Sequence, residues 1–338
     1  MSSASPPTAP PVLPPADPKE YNRLHLDYRR PMPRPEVRGP VIDFHCHLLA
    51  ARHAKVWFET AGHYGIDLFC SMTPLEEVLG LQRDWPHKLH FITVPQWQNP
   101  SLDDWLRRLE MFYNLGSRII KFHMAPRTIA TRKIRLDSPQ LRPIMREAAD
   151  RGMIFMSHIG DPDLWYHGKY ADASQFGTRD QHYAMWENVL QQYQDRPWIG
   201  AHLGGNPENL DRLQALLDRF PNLYLDNSAA RWMVREISAR RDRAREFLIR
   251  NADRILFGTD QVSGDDRGFD FLASRIWAHR MLWESDYDGP SPMFDPDLPQ
   301  DRQPLLRGLS LPPDVLQKIY RDNAVKLLAR AGVRMGDD

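Results

Sequence analysis

The chain has few cysteines, no surplus charge of either sign and no long apolar run, and each lack removes a class of protein. Two cysteines, Cys46 and Cys70, in 338 residues cannot make a disulfide scaffold. One bridge between them stays open, although Cys46 falls in a run that reads as a buried strand, where free thiols are common. Lys plus Arg and Asp plus Glu each total 44, for a formal net charge of zero. Nucleic-acid binding normally needs a basic excess, and a neutral chain has no reason to dock on anionic lipid. No run approaches the roughly 18 apolar residues that span a bilayer. The opening MSSASPPTAPPVLPPADP has no basic segment followed by an apolar one, so a secretory signal is not expected. The expectation is a cytoplasmic protein with a small-molecule substrate, no nucleic-acid or membrane partner, and homo-oligomerisation left open.

What is present is ordinary globular material. Hydrophobic residues make up 42% and charged residues 26%, enough for a sizeable core. The length suits one large domain or two small ones. Proline is concentrated at the start: Pro6, Pro7, Pro10, Pro11, Pro14, Pro15 and Pro18, then Pro31, Pro33, Pro35 and Pro40. Proline fixes φ and removes a backbone donor, so residues 1–38 are expected to be an extended or disordered N-terminal segment. It reads either as a Pro-rich ligand for a partner domain or as a solvated tail that later wraps the body. The second is favoured, because Tyr21, Leu24, Leu26 and Tyr28 offer apolar grip. A single body is expected over 39–335.

From Val41 onward, short apolar runs alternate with longer segments of helical period. Strands are expected at Val41–His47, Ile66–Cys70, Leu89–Val94, Arg118–His123, Met153–His158, Trp198–His202, Leu223–Asp226 and Arg254–Phe257. Helices are expected at Leu102–Leu115, Leu141–Arg151, Tyr183–Gln194, Leu210–Phe220 and Val234–Arg250, with a closing helix at Pro312–Ala329. Ser138-Pro139 and Asn206-Pro207 read as helix starts. Eight strands alternating with helices give an α/β fold. A doubly wound open sheet fits that alternation as well as a barrel does.

The polar residues on the strands choose between them. Strict alternation turns Asp43, His45 and His47 to one face, and Phe44 and Cys46 to the covering helices. A barrel takes side chains from one face of every strand and builds its active site at their C-terminal ends. His45 and His47 lie at that end of the first strand, where two imidazoles at i and i+2 can meet one cation. Alone, an HxH pair is also found as two unrelated hydrogen-bonded histidines. Three more strands end similarly: Met153-Ile154-Phe155-Met156-Ser157-His158, Trp198-Ile199-Gly200-Ala201-His202 and Arg254-Ile255-Leu256-Phe257-Gly258-Thr259-Asp260. Gly204 and Gly205 follow His202 and allow close backbone approach. Strand ends carrying His, His, His and Asp in register are hard to reach by chance, so a (β/α)₈ TIM barrel with a Pro-rich N-terminal extension is expected.

This order, HxH on strand one, His on five and six and Asp on eight, resembles the metal-dependent amidohydrolase superfamily. Asp43-Phe44-His45-Cys46-His47, Ala201-His202-Leu203-Gly204-Gly205, Phe257-Gly258-Thr259-Asp260 and the closing Ile319-Tyr320-Arg321-Asp322-Asn323-Ala324 are similar to its amidohydrolase-related branch, which includes aminocarboxymuconate-semialdehyde decarboxylase. The resemblance runs from about Val41 to Ala329. It implies metal ligation by His45, His47, His158 and Asp260, with His202 as an acid/base or polarising group. A divalent ion activates water and polarises carbonyls, and Asp260 could serve as both ligand and proton acceptor. Three histidines and a carboxylate suit one Zn²⁺, with Mn²⁺, Fe²⁺ or Co²⁺ as alternatives.

Lys121 shares a face with His123 on strand four. It is a candidate for bridging a second metal, as the carboxylated lysine of binuclear amidohydrolases does, for anchoring substrate, or for pairing with a buried carboxylate such as Asp43. Arg127, Arg179 and Arg231 follow strands four, five and seven, where an arginine either grips a substrate carboxylate or makes a surface ion pair. Trp165, Tyr166 and Trp232 are candidate pocket residues. His53, His63, His87, His90, His167, His182 and His279 are expected on helices or turns in structural roles. The function expected is a metal-dependent hydrolase of a small organic acid, ester, lactone or amide. A non-oxidative decarboxylase on the same site is the nearest alternative, then a hydratase. A non-catalytic binding barrel is the alternative of another class.

Overall fold

The structure is a computed structural model that describes residues 17–95 and 101–335; the proline cluster before Asp17 lies outside these. Among them, the short runs rich in Ile, Val, Leu and Phe form eight parallel strands: β1 (Val41–Cys46), β2 (Ile66–Ser71), β3 (Leu89–Thr93), β4 (Ile119–His123), β5 (Ile154–His158), β6 (Trp198–Gly200), β7 (Leu223–Asp226) and β8 (Ile255–Leu256). Each pairs with its neighbours in chain order. The β1 and β8 segments close the circle: Phe44 N–H donates to Phe257 O, Asp260 N–H to His45 O and His47 N–H to Gln261 O. Sequential order with joined ends is a (β/α)₈ barrel and excludes the doubly wound sheet.

The expected strands all occur, with ends displaced by a few residues. The expected helix Val234–Arg250 is two, Ala230–Ser238 and Arg241–Arg250. Arg240 between them has φ −129° and ψ 35°, outside the helical region, yet both halves bury an apolar face, so the sequence period runs on across the break. Asn206-Pro207 precedes its helix by a turn, and Asn209 is the cap, accepting from Arg212 N–H at 3.0 Å. The closing segment is Pro313–Gln317, a π-helical turn at Lys318–Asp322, and Asn323–Arg330. The wider turn leaves Ile319 O to accept from Phe257 N–H, which ties the last helix to the barrel.

Two apolar layers hold the barrel. Outside it, Phe69, Phe91, Phe155, Trp198 and Leu225 pack against Trp57, Trp186 and other helix residues. Inside, Ile42, Phe44, Leu68, Ile119, Ile154, Met156, Ile199 and Leu256 fill one end. Phe44 belongs to this inner layer, which corrects the simple alternation expected for β1. Asp43 lies opposite Phe69 but Cys46 opposite Ser71, so three steps on β1 match two on β2. The extra residue is a bulge, which lets both Phe44 and His45 turn inward. Asp43 instead accepts from Thr259, at 3.0 Å from the backbone N–H and 2.5 Å from the hydroxyl. Cys46 and Cys70 are buried and free.

Residues 17–40 lie against the barrel. Pro18–Tyr21 is a helical turn capped by Asp17, and Tyr28 is buried, its carbonyl accepting from Tyr64 Oη–H at 2.8 Å. No helix among the described residues is long and apolar enough to cross a membrane.

Candidate metal centre

The β1 bulge and the β8 exit bring three expected residues together. His45 Nε2 and His47 Nε2 lie 3.3 and 3.2 Å from Asp260 Oδ1, and one ligand atom from each residue falls within 4.8 Å of the others. Asp260 sits at φ 53°, a left-handed conformation that Asp tolerates better than most residues. His45 is wholly buried, and its Nδ1–H donates to Asp226 Oδ2 at 2.8 Å. That bond assigns the tautomer of the neutral ring, in which Nε2 carries the lone pair. Lys121 Nζ is 2.6 Å from this nitrogen. Asp43, by contrast, is not the partner of Lys121.

Asp226 organises a second group. Its Oδ1 accepts from His202 N–H at 2.9 Å, from Ser228 N–H at 3.2 Å and from the Ser228 hydroxyl. With the Ser228 proton committed to Asp226, His202 Nδ1–H donates to Ser228 Oγ at 2.7 Å, leaving Nε2 of His202 as the acceptor nitrogen. The sixth strand stops at Gly200, so His202 lies beyond it rather than on it. Residues 202–205 all have positive φ: His202 56°, Leu203 50°, Gly204 63° and Gly205 68°. Two non-glycine residues there cost on the order of 1–2 kcal/mol each, offset in part by the bond to Asp226. Glycine is required at 205, where a Cβ would fall 1.9 Å from Gly160 O; this contact presses the β5 and β6 exits together.

His158 stands beside these groups, with its ring 4.7 Å from those of both His202 and His123. Its Nε2–H donates to Asp161 Oδ1 at 2.8 Å, and Tyr170 Oη–H donates to Asp161 Oδ2 at 2.8 Å. Nδ1 is therefore the nitrogen with the free lone pair. His158 is not within the 4.8 Å grouping of His45, His47 and Asp260.

Burial dominates the electrostatics. It lowers His47 to about 4 and His202 well below its ordinary range, so both rings are neutral near pH 7. It lowers Lys121 to about 8 and raises Asp43 to about 7. Burial also pushes the Asp260 carboxyl up, but the neighbouring His202, His45 and His47 outweigh it and hold the group well below the usual carboxylate range. His45 runs the other way: burial and Lys121 push it down, but Asp226 and Asp260 outweigh them and raise it. Neutral His47 and ionised Asp260 are already in the states that metal ligation needs, and His45 reaches its ligating state by losing a proton.

A cavity of about 370 Å³ opens beside Asp260 and Thr259, with Trp165, Trp232, Arg231 and Arg275 in its wall. The Trp165 and Trp232 rings meet edge-on at 5.2 Å, and Trp232 is 5.4 Å from His202. Arg127 is exposed on the helix Pro126–Arg132, away from this wall. Arg179 braces the loops, donating to Asp163, to Asp161 O and to Gly205 O. Tyr166 Oη bonds His182 Nδ1 at 2.7 Å. His90 lies on β3, not on a helix or turn, and its Nε2 accepts from Arg118 N–H at 3.2 Å.

Sequence reasoning missed Asp226, Ser228, Asp161 and Tyr170. Asp226 had a readable signal: Leu223-Tyr224-Leu225-Asp226 is an apolar strand ending in a carboxylate, as the eighth strand segment is. The others act through contacts that sequence spacing does not show.

The fold is similar to that of an uncharacterized TIM-barrel protein from Bordetella bronchiseptica, at 18% identity and a TM-score of 0.56 over 87% of this chain and 100% of the other. It is also similar to 5-carboxyvanillate decarboxylase from Sphingomonas paucimobilis, at 10% identity and a TM-score of 0.52 over 86% of this chain and 99% of that one. At such identities the likeness is one of fold. No curated protein matches the chain in sequence. The amidohydrolase family model matches residues 80–330, a span that includes Lys121, His158, His202, Asp226 and Asp260. With well over half the chain matched and His/Asp groups able to hold a metal ion at the strand ends, the chain belongs to the amidohydrolase family, a family of metal-dependent enzymes.

Proposed function

We propose that this protein hydrolyses a small organic acid, ester, lactone or amide, using one divalent ion held by His45, His47, His158 and Asp260. The convergence of two imidazole Nε2 atoms on Asp260 Oδ1 carries this reading. The donors fit: His47 is a neutral ring, His45 offers its Nε2 lone pair once deprotonated, and Asp260 gives an anionic oxygen, a set suited to Zn²⁺ and accepted by Mn²⁺, Fe²⁺ or Co²⁺. His158 turns Nδ1 free by donating Nε2–H to Asp161. When bound, the ion would polarise a substrate carbonyl and lower the pKa of a water toward neutrality.

The chain's own residues supply the rest. His202 Nε2 is an unprotonated acceptor in a neutral ring, suited to taking a proton from the attacking water and passing it to the leaving group. Asp226 and Ser228 keep it in that tautomer. Asp260 is a second acceptor, and Trp165 and Trp232 provide an apolar wall for the substrate.

Non-oxidative decarboxylation on the same residues is the second reading, supported by the fold likeness to 5-carboxyvanillate decarboxylase. Mass spectrometry of one turned-over substrate in labelled water separates them. Hydrolysis puts solvent oxygen into the product acid or alcohol. Stoichiometric carbon dioxide with solvent hydrogen at carbon would replace the first reading by the second.

A further inference from the structure

We infer that Arg231 and Arg275 form an anion subsite in the cavity beside Asp260, and that the substrate carries a carboxylate or similar anionic group separate from the group that reacts. The identity of the reacting group rests on the function proposed above; the subsite rests on charges and contacts of its own.

The wall of this cavity holds three cations and three carboxylates, and they are not paired at random. Asp295 is taken by Arg235. Asp297 accepts from Lys169 Nζ at 2.7 Å and from Trp165 Nε1–H at 2.6 Å. Asp260 is committed to His45 and His47. Arg231 and Arg275 remain, and neither makes an ion pair with any carboxylate of the described residues. Arg231 is exposed and has no hydrogen-bond partner among them.

Arg275 is held in place without being neutralised. Its Nη1 donates to Phe271 O at 3.0 Å and to Ser274 Oγ at 2.9 Å, and the guanidinium lies 3.6 Å over the Phe271 ring. Those partners are uncharged. Burial, then repulsion from Arg231 and Arg267, lowers Arg275 to about 9, so two like charges are crowded at one wall. An anion between them would relieve the repulsion and accept a planar fork from each side, the arrangement arginine is suited to.

Position links the pair to the chemistry. Trp232, next in sequence to Arg231, has its ring 5.4 Å from His202, and Arg231, Arg275 and Asp260 share one cavity. A substrate of a few hundred cubic ångströms could therefore lay its middle against Trp232, with its anionic group at the arginines and its reacting carbonyl near Asp260.

The test uses the full chain as purified, with two probes of like shape that differ in charge: benzenesulfonate, an anion that is a poor metal ligand, and methyl phenyl sulfone, which is neutral. Calorimetric titration should give at least about tenfold tighter binding of the sulfonate, equivalent to 1.4 kcal/mol, and the preference should shrink with added salt. Arg231→Gln and Arg275→Gln should each remove most of that preference, and Arg231→Glu should reverse it. Arg127→Gln should change nothing. Arg231 has no partner to lose, so a folding defect at Arg275 leaves the Arg231 variants decisive. Equal binding of the two probes, or a sulfonate preference untouched by Arg231→Gln and Arg231→Glu, would overturn the subsite. Failure of the hydrolase reading would appear elsewhere, in metal content and product labelling, and would leave the sulfonate preference standing.

Discussion

Lys121 Nζ stands 2.6 Å from His45 Nε2, the one nitrogen of that ring whose lone pair is not already committed. A divalent ion at the proposed site would use the same lone pair. The lysine is thus a competitor for the ligand nitrogen, and burial, which lowers it to about 8, makes its ammonium easier to displace. Purified protein is expected to carry about one divalent ion per chain, and Lys121→Met to keep that number or hold the ion more firmly. Elemental analysis giving two ions per chain, with one lost in Lys121→Met, would assign Lys121 a bridging role instead.

Asp226 fixes both His45 and His202, so its replacement reaches the centre without touching a proposed ligand. Asp226→Asn keeps the shape but removes the charge that holds Nδ1–H of His45. Ion affinity is expected to fall roughly 10–100-fold, the usual cost of losing such a carboxylate partner. Ser228→Ala is expected to cost less, because Asp226 retains the bonds from His45 and from His202 N–H. Competition with a chromogenic chelator measures both, and an unaltered affinity in Asp226→Asn would remove Asp226 from the account.

His202→Asn suits a kinetic test because asparagine accepts the left-handed backbone that His202 adopts. Metal content and melting temperature should hold, while kcat falls roughly 10²–10⁴-fold, the worth of a positioned acid/base. The loss should lie in kcat more than KM. Wild-type turnover in this variant would sink the mechanism for hydrolysis and decarboxylation alike.

Stability should decline with acid through two buried histidines that are not proposed ligands. His90 and His279 are buried, and burial lowers each to about 4. Their acceptor nitrogens are engaged: His90 Nε2 takes Arg118 N–H, and His279 Nδ1 takes Trp283 Nε1–H at 3.2 Å. Between the ordinary histidine value near 6.5 and about 4, the unfolded chain binds protons that the folded chain refuses. Folding stability is therefore full above about pH 6.5 and falls as pH drops through this window, by on the order of 2–3 kcal/mol per histidine. Urea unfolding at pH 7 and pH 4.5 measures the loss. A His90→Gln variant should show a shallower slope, and an unchanged slope would assign the acid sensitivity to other groups.

The eight strands are legible in the sequence, because short apolar runs between helical segments are a local property of the chain. The sequence also showed that polar residues crowd the strand ends, since an apolar run closing on His158 or Asp260 is visible without a structure. It did not determine the inward face of the first strand. Alternation assumes one residue per step, and the bulge between Asp43 and Cys46 breaks that rule, sending Phe44 inward with His45. Nor did it show where the helix after the seventh strand breaks, because both halves keep an apolar face.

The environment of each site residue depends on contacts between distant parts of the chain. Asp226 and His45 are 181 residues apart, yet their hydrogen bond selects the tautomer. Asp161 does the same for His158, and the left-handed turn at 202–205 arises from a bond to another strand and from the close contact of Gly205 with Gly160. Arg275 was never a candidate from sequence, because only folding brings its helix beside Arg231. Periodicity records which face a residue presents. Tautomer, charge state and unpaired charge depend on atoms from distant strands meeting within about 3 Å, and that is set by closure of the barrel.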